Sequence, residues 1–224
     1  MSIVKEIGEH SIVGNSQSIR DVFGIVEKAA ASDSTVMIFG ESGTGKELIA
    51  RALHQNSKRE KKPFIAVNCG AIPHELLESE LFGYTKGAFT GATADKAGHI
   101  ESAEGGTLFL DELGEMSLQA QVRLLRVLEQ REVVRVGTST PIPVDIRIVA
   151  ATNKNLEEEV VQGRFRQDLY FRLRVVAVEL PPLQQRLEDV PLLVESFVNE
   201  LAEQHGVPLK GVSTEVVGAL QAHD

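Results

Sequence analysis

Lys46 is the last residue but one of the stretch "GESGTGKE" (residues 40–47), which follows directly on the apolar run 35–39. Glycines at this spacing let backbone N–H groups turn toward phosphate oxygens, and a lysine opening the next helix reaches the β- and γ-phosphates. The helix N-terminus adds the positive end of its dipole. Gly40, Glu41, Ser42, Gly43, Thr44, Gly45, Lys46 and Glu47 therefore form a candidate nucleotide cradle. The pattern G-x-x-x-x-G-K-[ST] is broken at its last letter, where the Glu47 carboxylate stands in place of the hydroxyl that would meet magnesium. A glycine turn that binds nothing is the alternative, and the flanking strand and lysine argue against it.

A nucleotide site of this kind needs an acidic residue at the end of a buried strand. "GGTLFLDE" (105–112) supplies Asp111 to hold magnesium and Glu112 to draw a proton from water attacking the γ-phosphate. Adjacent acids alone are commonly a solvated strand end; behind a phosphate loop they suit a hydrolase better than a kinase. "VAATN" (149–153) ends a strand at Thr152 and Asn153, and Asn153 could orient the water or simply occupy a turn. Asn68 ends another strand and could hydrogen-bond Glu112 and hold it idle. "GRFRQDLYFRL" (163–173) carries Arg164, Arg166 and Arg172. They read equally as solvated arginines pairing with Asp168 and as guanidinium groups that stabilise a transferring phosphoryl.

The elements that must position these residues alternate. Ser16 caps a predicted helix with Ile19, Val22, Phe23 and Val26 at helical spacing. Strands are predicted over 35–39, 64–68, 107–110, 133–136 (a candidate hairpin arm), 143–151 and 175–180, and helices over 47–55, 74–81, 117–130, 155–162 and 165–173. Short apolar strands separated by helices imply a parallel sheet covered on both faces. Beyond Pro181-Pro182 only helical patterns follow, at 187–204 and 214–222. The expected division is an α/β nucleotide-binding unit, 1–182, and a small helical lid, 183–224, that looks cut short. Two glycine- or proline-rich windows, 83–98 and 137–143, break the periodicity and mark structured loops of the kind that carry function.

The composition excludes several classes. A net charge of −9 with no long Lys/Arg block argues against a chain that holds DNA by bulk electrostatics. One cysteine excludes an intramolecular disulfide and a cysteine-based zinc site. No apolar run approaches the ~18 residues of a membrane span, and no charged apolar leader opens the chain, so a cytoplasmic protein without membrane contact is expected.

Taken in order, "GESGTGKE", "ELFGYTKGAFTGA", "GGTLFLDE", "LLRVLEQ", "VAATN" and "FRQDLYFRL…ELPPL" resemble the central AAA+ ATPase domain of bacterial enhancer-binding proteins, activators of sigma-54 RNA polymerase. The likeness runs from about Ile12 to the end, and "GAFTGA" is its discriminating motif. It implies a P-loop NTPase fold with a five-stranded parallel sheet, ATP and Mg2+ as cofactors, and a hexameric or heptameric ring. The family carries glutamate after the loop lysine, so Glu47 is in pattern. By likeness Ile12, Val13 and Gly14 pack on adenine, Thr152 and Asn153 sense the nucleotide, and Arg166 and Arg172 act on a neighbouring subunit. Gly87, Ala88, Phe89, Thr90, Gly91 and Ala92 form the loop that grips sigma-54, with Phe89 and Thr90 at its tip.

The likeness also has gaps. Gln184 stands where the family shows arginine, with Arg186 two residues on, and the segment bearing a second sensor arginine does not follow. Neither a sensory domain nor a DNA-binding helix-turn-helix is expected within these residues. A rival of a different class remains open: a docking module that binds ATP and hydrolyses little. A P-loop kinase would leave "GAFTGA" unexplained.

Overall fold

The computed structural model describes residues 3–7, 10–207 and 211–223, with side chains from residue 12 onward within the first stretch of chain. Strands β1 (Ile3–Ile7) and β2 (His10–Gly14) pair antiparallel, with Val4 opposite Val13. Helix α1 (Gln17–Ala30) starts where the Ser16 hydroxyl accepts the Ile19 N–H, as its cap position demands. The α/β core then runs β3 (Val36–Phe39), α2 (Lys46–Gln55), β4 (Phe64–Asn68), α3 (His74–Phe82), α4 (His99–Ser102), β5 (Thr107–Asp111) and α5 (Leu118–Gln130). It continues through β6 (Glu132–Val134), β7 (Pro141–Pro143), β8 (Arg147–Thr152), α6 (Leu156–Val161), α7 (Gln167–Leu173) and β9 (Val176–Glu179). Two short 3-10 turns lead into α8 (Val190–His205) and α9 (Thr214–Gln221).

The main sheet is parallel, in the order β4-β5-β8-β3-β9. Its side chains alternate between two cores, which is why its strands are apolar throughout. Met37, Leu108, Leu110, Ile148 and Ala150 face α3, α5 and α7. Val36, Ile38, Phe109, Val149 and Ala151 face α1 and α2.

Three expectations are corrected here. The N-terminal hairpin lay outside the predicted strands. The run 143–151 is two elements: Pro141 and Pro143 lack the N–H groups a central strand needs, so β7 pairs only with β6, and the chain enters the main sheet at Arg147. Val136 lies outside β6 and instead bridges Tyr84, which joins the two glycine-rich windows.

Arg147 anchors the foot of β8. It is 1% exposed, and its guanidinium donates to the carbonyls of Ala29 (2.8 Å), Ala30 (3.4 Å) and Leu53 (3.4 Å), closing the last turns of α1 and α2. Burial pulls its pKa below the ordinary arginine value, opposed by the nearby Asp33 charge. Arg147→Met keeps the length and strands these carbonyls. We expect it to lower unfolding stability by about 2–4 kcal/mol, since each buried unpaired acceptor costs about 1–3 kcal/mol. An unchanged urea midpoint would contradict the clamp.

Candidate nucleotide site

Three neighbouring strands, β5, β8 and β3, end side by side, each delivering part of the predicted site. Open parallel sheets bind ligands at this carboxyl edge. From β3 the glycine loop departs, and the Gly40 N–H donates to the Thr152 carbonyl at the end of β8 (3.3 Å). Gly40 must be glycine: a Cβ there would lie 2.8 Å from Thr44 Oγ1 and 3.0 Å from Leu180 Cβ. Gly43 and Gly45 adopt φ of 80° and 97°, which glycine takes without strain. Lys46 is buried, and its Nζ donates to the carbonyls of Gly40 (3.0 Å) and Glu41 (2.8 Å), folded back into the loop. Gly45 provides no side-chain cap for α2, so the first amides of the helix are free for an anion.

Glu47 faces elsewhere. Its carboxylate accepts from Arg51 Nε (3.0 Å) and Nη2 (2.6 Å) one turn along α2, and Arg51 stacks over Phe64. The side chain therefore turns away from the glycine loop, while its backbone amide lies at that end of the helix. The i, i+4 acid–arginine spacing was a legible signal for this pairing.

At the end of β5, Asp111 Oδ1 accepts the Glu112 N–H (2.9 Å). Glu112 is held in the left-handed region (φ 51°, ψ 42°), uncommon for a residue with a long side chain. Its carboxylate lies against Gly70, where a Cβ would come within 2.0 Å of Oε2. The expected Asn68–Glu112 hydrogen bond is not the one the structure makes. Asn68 Oδ1 accepts from the Gly70 N–H (2.8 Å) and Ala71 N–H (2.9 Å), an Asx turn, so the two residues meet across Gly70. Cys69, buried between them, has its thiol pKa pushed up to about 12 by burial and by the Asp111 and Glu112 charges, which keeps it protonated.

Thr152 is buried, and Asn153 beyond it is exposed toward solvent. Lys154, which the motifs did not single out, ties the end of β8 to the segment after Glu112 through Gly114 O (3.3 Å) and Glu115 (2.8 Å). Its only sequence signal is adjacency to Asn153.

Between the glycine loop, Ile12-Val13 and α8 lies a cleft of about 1610 Å3, above the roughly 300–1,000 Å3 of common ligand pockets, so it admits a nucleotide with room for the α8 side to move. No three His, Cys, Asp or Glu side chains gather into a metal site among the described residues. The Asp111 carboxylate fits a cation that takes its other ligands from phosphate and water, as magnesium does.

Arg166 does not lie on α7 but caps it in extended conformation. Its guanidinium pairs with Asp168 (2.6 Å), both side chains being about 40–45% exposed. Arg164 pairs with Glu159, and Arg172 donates to the Leu128 carbonyl (3.3 Å). None of the three reaches the glycine loop of its own chain.

The 83–98 window is a folded projection. Tyr84 bridges Lys96 and Val136, Gly87 donates to Ala92 O (2.8 Å), and Ala92 donates to Phe89 O (3.0 Å). Gly87 and Gly91 take φ of 85° and 104°. Phe89 is 43% exposed with its edge on Tyr84, Thr90 is exposed beside it, and Ala92 is buried. Gly137 packs against Ala88 so closely that a Cβ would sit 2.6 Å from it. Arg135 binds Glu101 in a fork (2.8 and 2.6 Å) at the base; this pair was not read from the sequence.

A family model described as "Sigma-54 interaction domain" matches residues 12–179. The DNA-binding transcriptional regulator NtrC of Rhizobium meliloti (strain 1021) is 53% identical over 212 residues, 95% of this chain and 44% of that protein. The Nif-specific regulatory protein of Azotobacter vinelandii is 50% identical over 215 residues, 96% and 41%. The chain thus spans less than half the length of these curated relatives. Among solved structures, NtrX from Brucella abortus in complex with ATP superposes with a TM-score of 0.89 at 41% identity, covering 95% of this chain and 46% of that one. The P-loop NTPase domain of a sigma-54 transport activator from E. coli, at 20% identity, gives 0.52 over 76% of this chain and 99% of its own, a likeness of fold alone. With its glycine loop, paired carboxylates and parallel sheet of AAA+ P-loop type, the chain belongs to the sigma-54 interaction domain family.

Proposed function

We propose that this chain is a mechanochemical ATPase that assembles into a ring and remodels the closed promoter complex of sigma-54 RNA polymerase through its 83–98 loop. The observation that carries the reading is the convergence of the glycine loop, Asp111-Glu112 and Thr152 at the ends of three adjacent strands, with the loop of Phe89 projecting from the same unit. The NtrX complexes with ADP and ATP support nucleotide binding.

Lys46 exchanges the carbonyls of Gly40 and Glu41 for phosphate oxygens, while the amides at the start of α2 orient the phosphates. Magnesium, bound through Asp111, would neutralise phosphate charge. Glu112, freed from Gly70, takes the proton of the attacking water, and Asn153 orients that water. Asn68 senses the state of Glu112 across Gly70. Ile12, Val13 and Gly14 wall the base, and residues 183–224 form a lid over it. The chain works in the cytoplasm; no described helix is long and apolar enough to cross a membrane.

Arg166 completes the site of a neighbour in a hexameric or heptameric ring, with Arg172 beside it. Its exposed pair with Asp168 is worth little, so release to a partner's phosphate costs little. Specific activity should then rise with protein concentration. Arg166→Ala should bind ATP yet lose roughly 10³-fold in turnover, the low end for an arginine finger. Mixing it one to one with Glu112→Gln should restore about a quarter of wild-type activity, because random assembly forms that share of interfaces with both groups intact. A rate independent of concentration, with no rescue, would put the arginine's action within its own chain and overturn the ring mechanism.

A further inference from the structure

Arg186 stands in the linker that carries the chain from β9 to α8, and it is poorly partnered. Its Nη2 donates to the Thr44 carbonyl at 3.4 Å, a long bond, and its Nε is buried with no partner. A guanidinium has five N–H donors. The carboxylate three residues on is already engaged. Asp189, fully buried, accepts from the Asn15 N–H (2.6 Å) and Ser16 N–H (2.8 Å) through Oδ1, and from the Ser16 hydroxyl (2.6 Å) through Oδ2. Burial accordingly holds the Arg186 pKa below the ordinary arginine value, with Asp189 opposing at a distance.

A half-buried cation without an anion costs stability. This one lines the large cleft, between Thr44 of the glycine loop and the apolar wall of Ile12, Val13 and Leu187. It is the only lysine or arginine among the cleft-lining residues described, and Glu195, Glu200 and Glu203 of α8 line the same cleft with charge that would repel a phosphate. We infer that Arg186 is a nucleotide-binding residue acting within its own chain, whose missing partner is the phosphate nearest the nucleoside. The same contact ties nucleotide to α8, since Asp189 fixes the linker to the Asn15–Ser16 backbone beside the base-binding segment. The inference rests on the ATP-binding reading proposed above.

The test measures binding of adenosine, ADP and ATP to wild type, Arg186→Gln and Arg186→Lys by calorimetry, with thermal unfolding in the absence of nucleotide. Arg186→Gln should weaken ADP and ATP alike, by roughly tenfold or more, as loss of a hydrogen bond to a charged group does. Adenosine affinity should hold, Arg186→Lys should fall between, and the ligand-free unfolding midpoint should not drop. Unchanged ADP affinity, a loss confined to ATP, an equal loss for adenosine, or a lowered ligand-free midpoint each overturns the assignment. Wild type that binds no nucleotide overturns the ATPase reading with it; wild type that binds normally beside an indifferent Arg186→Gln overturns this inference alone.

Discussion

Lys46→Ala is expected to abolish ATP binding, whereas Glu112→Gln should bind ATP as wild type does and lose turnover by about 10²–10⁴-fold, the range for a general base. The contrast follows from where the two side chains sit. Lys46 Nζ occupies the inside of the glycine loop, held by two of its carbonyls, so its removal takes away both the charge that meets phosphate and the tie that shapes the empty loop. Glu112 lies on the far strand of the trio, parked over Gly70, and touches no part of the loop. Its amide analogue keeps the size and loses only the ability to take a proton. Filter binding with labelled ATP and a phosphate-release assay separate the two. Undiminished binding by Lys46→Ala would remove the nucleotide assignment, and a fully active Glu112→Gln would remove the base.

Phe89→Ala is expected to abolish capture of sigma-54 in the presence of ADP and aluminium fluoride while ATP hydrolysis stays close to wild type. Phe89 is exposed at a turn closed by backbone hydrogen bonds, between glycines with positive φ, and its aromatic neighbour Tyr84 is held by its own bridges to Lys96 and Val136. An aromatic held out in this way contributes little to a core and much to a contact. Capture should require the nucleotide mimic, because the position of the projection is proposed to follow the state of the phosphate site. Thr90→Ala should behave the same way. Wild-type capture by these variants, or capture that ignores nucleotide, would end the remodelling proposal.

The parts legible in the sequence were those whose cause is local. The glycine loop, the strand ending in Asp111 and the cap at Ser16 each depend on neighbours within a few residues. The parallel sheet followed from short apolar strands alternating with helices. What escaped depends on partners distant in sequence. Nothing near residues 3–14 marks two arms of a hairpin, and residues 143–151 read as one strand until Pro143 is seen to pair with Glu132. Arg166 read as a helical residue because its capping role is set by Gln121, whose side-chain carbonyl accepts the Arg166 N–H from α5. The Asn68 turn and the Glu47–Arg51 pair are locally encoded, by an Asx turn and by an i, i+4 acid–arginine spacing. The roles proposed for Phe89 and Ile12 rest on family likeness; the glycines of 83–98 mark only a structured loop.

Strand β8 is gripped at both ends, by Arg147 against two helices at its foot and by Lys154 against the Glu112 segment at its head, and its six residues are buried with β5 and β3 on either side. Such a strand behaves as a stiff axle with no slack of its own. The loop of Lys46 and the acids of β5 hang from it through ladder hydrogen bonds, so their spacing is set before any nucleotide arrives. On the reading proposed above, motion on hydrolysis falls to parts that pair with no strand of the main sheet: α8 with its linker and the loop that carries Phe89. On the proposed reading, chemistry needs a rigid bench and work needs a compliant arm, and the strand order keeps the two on different residues.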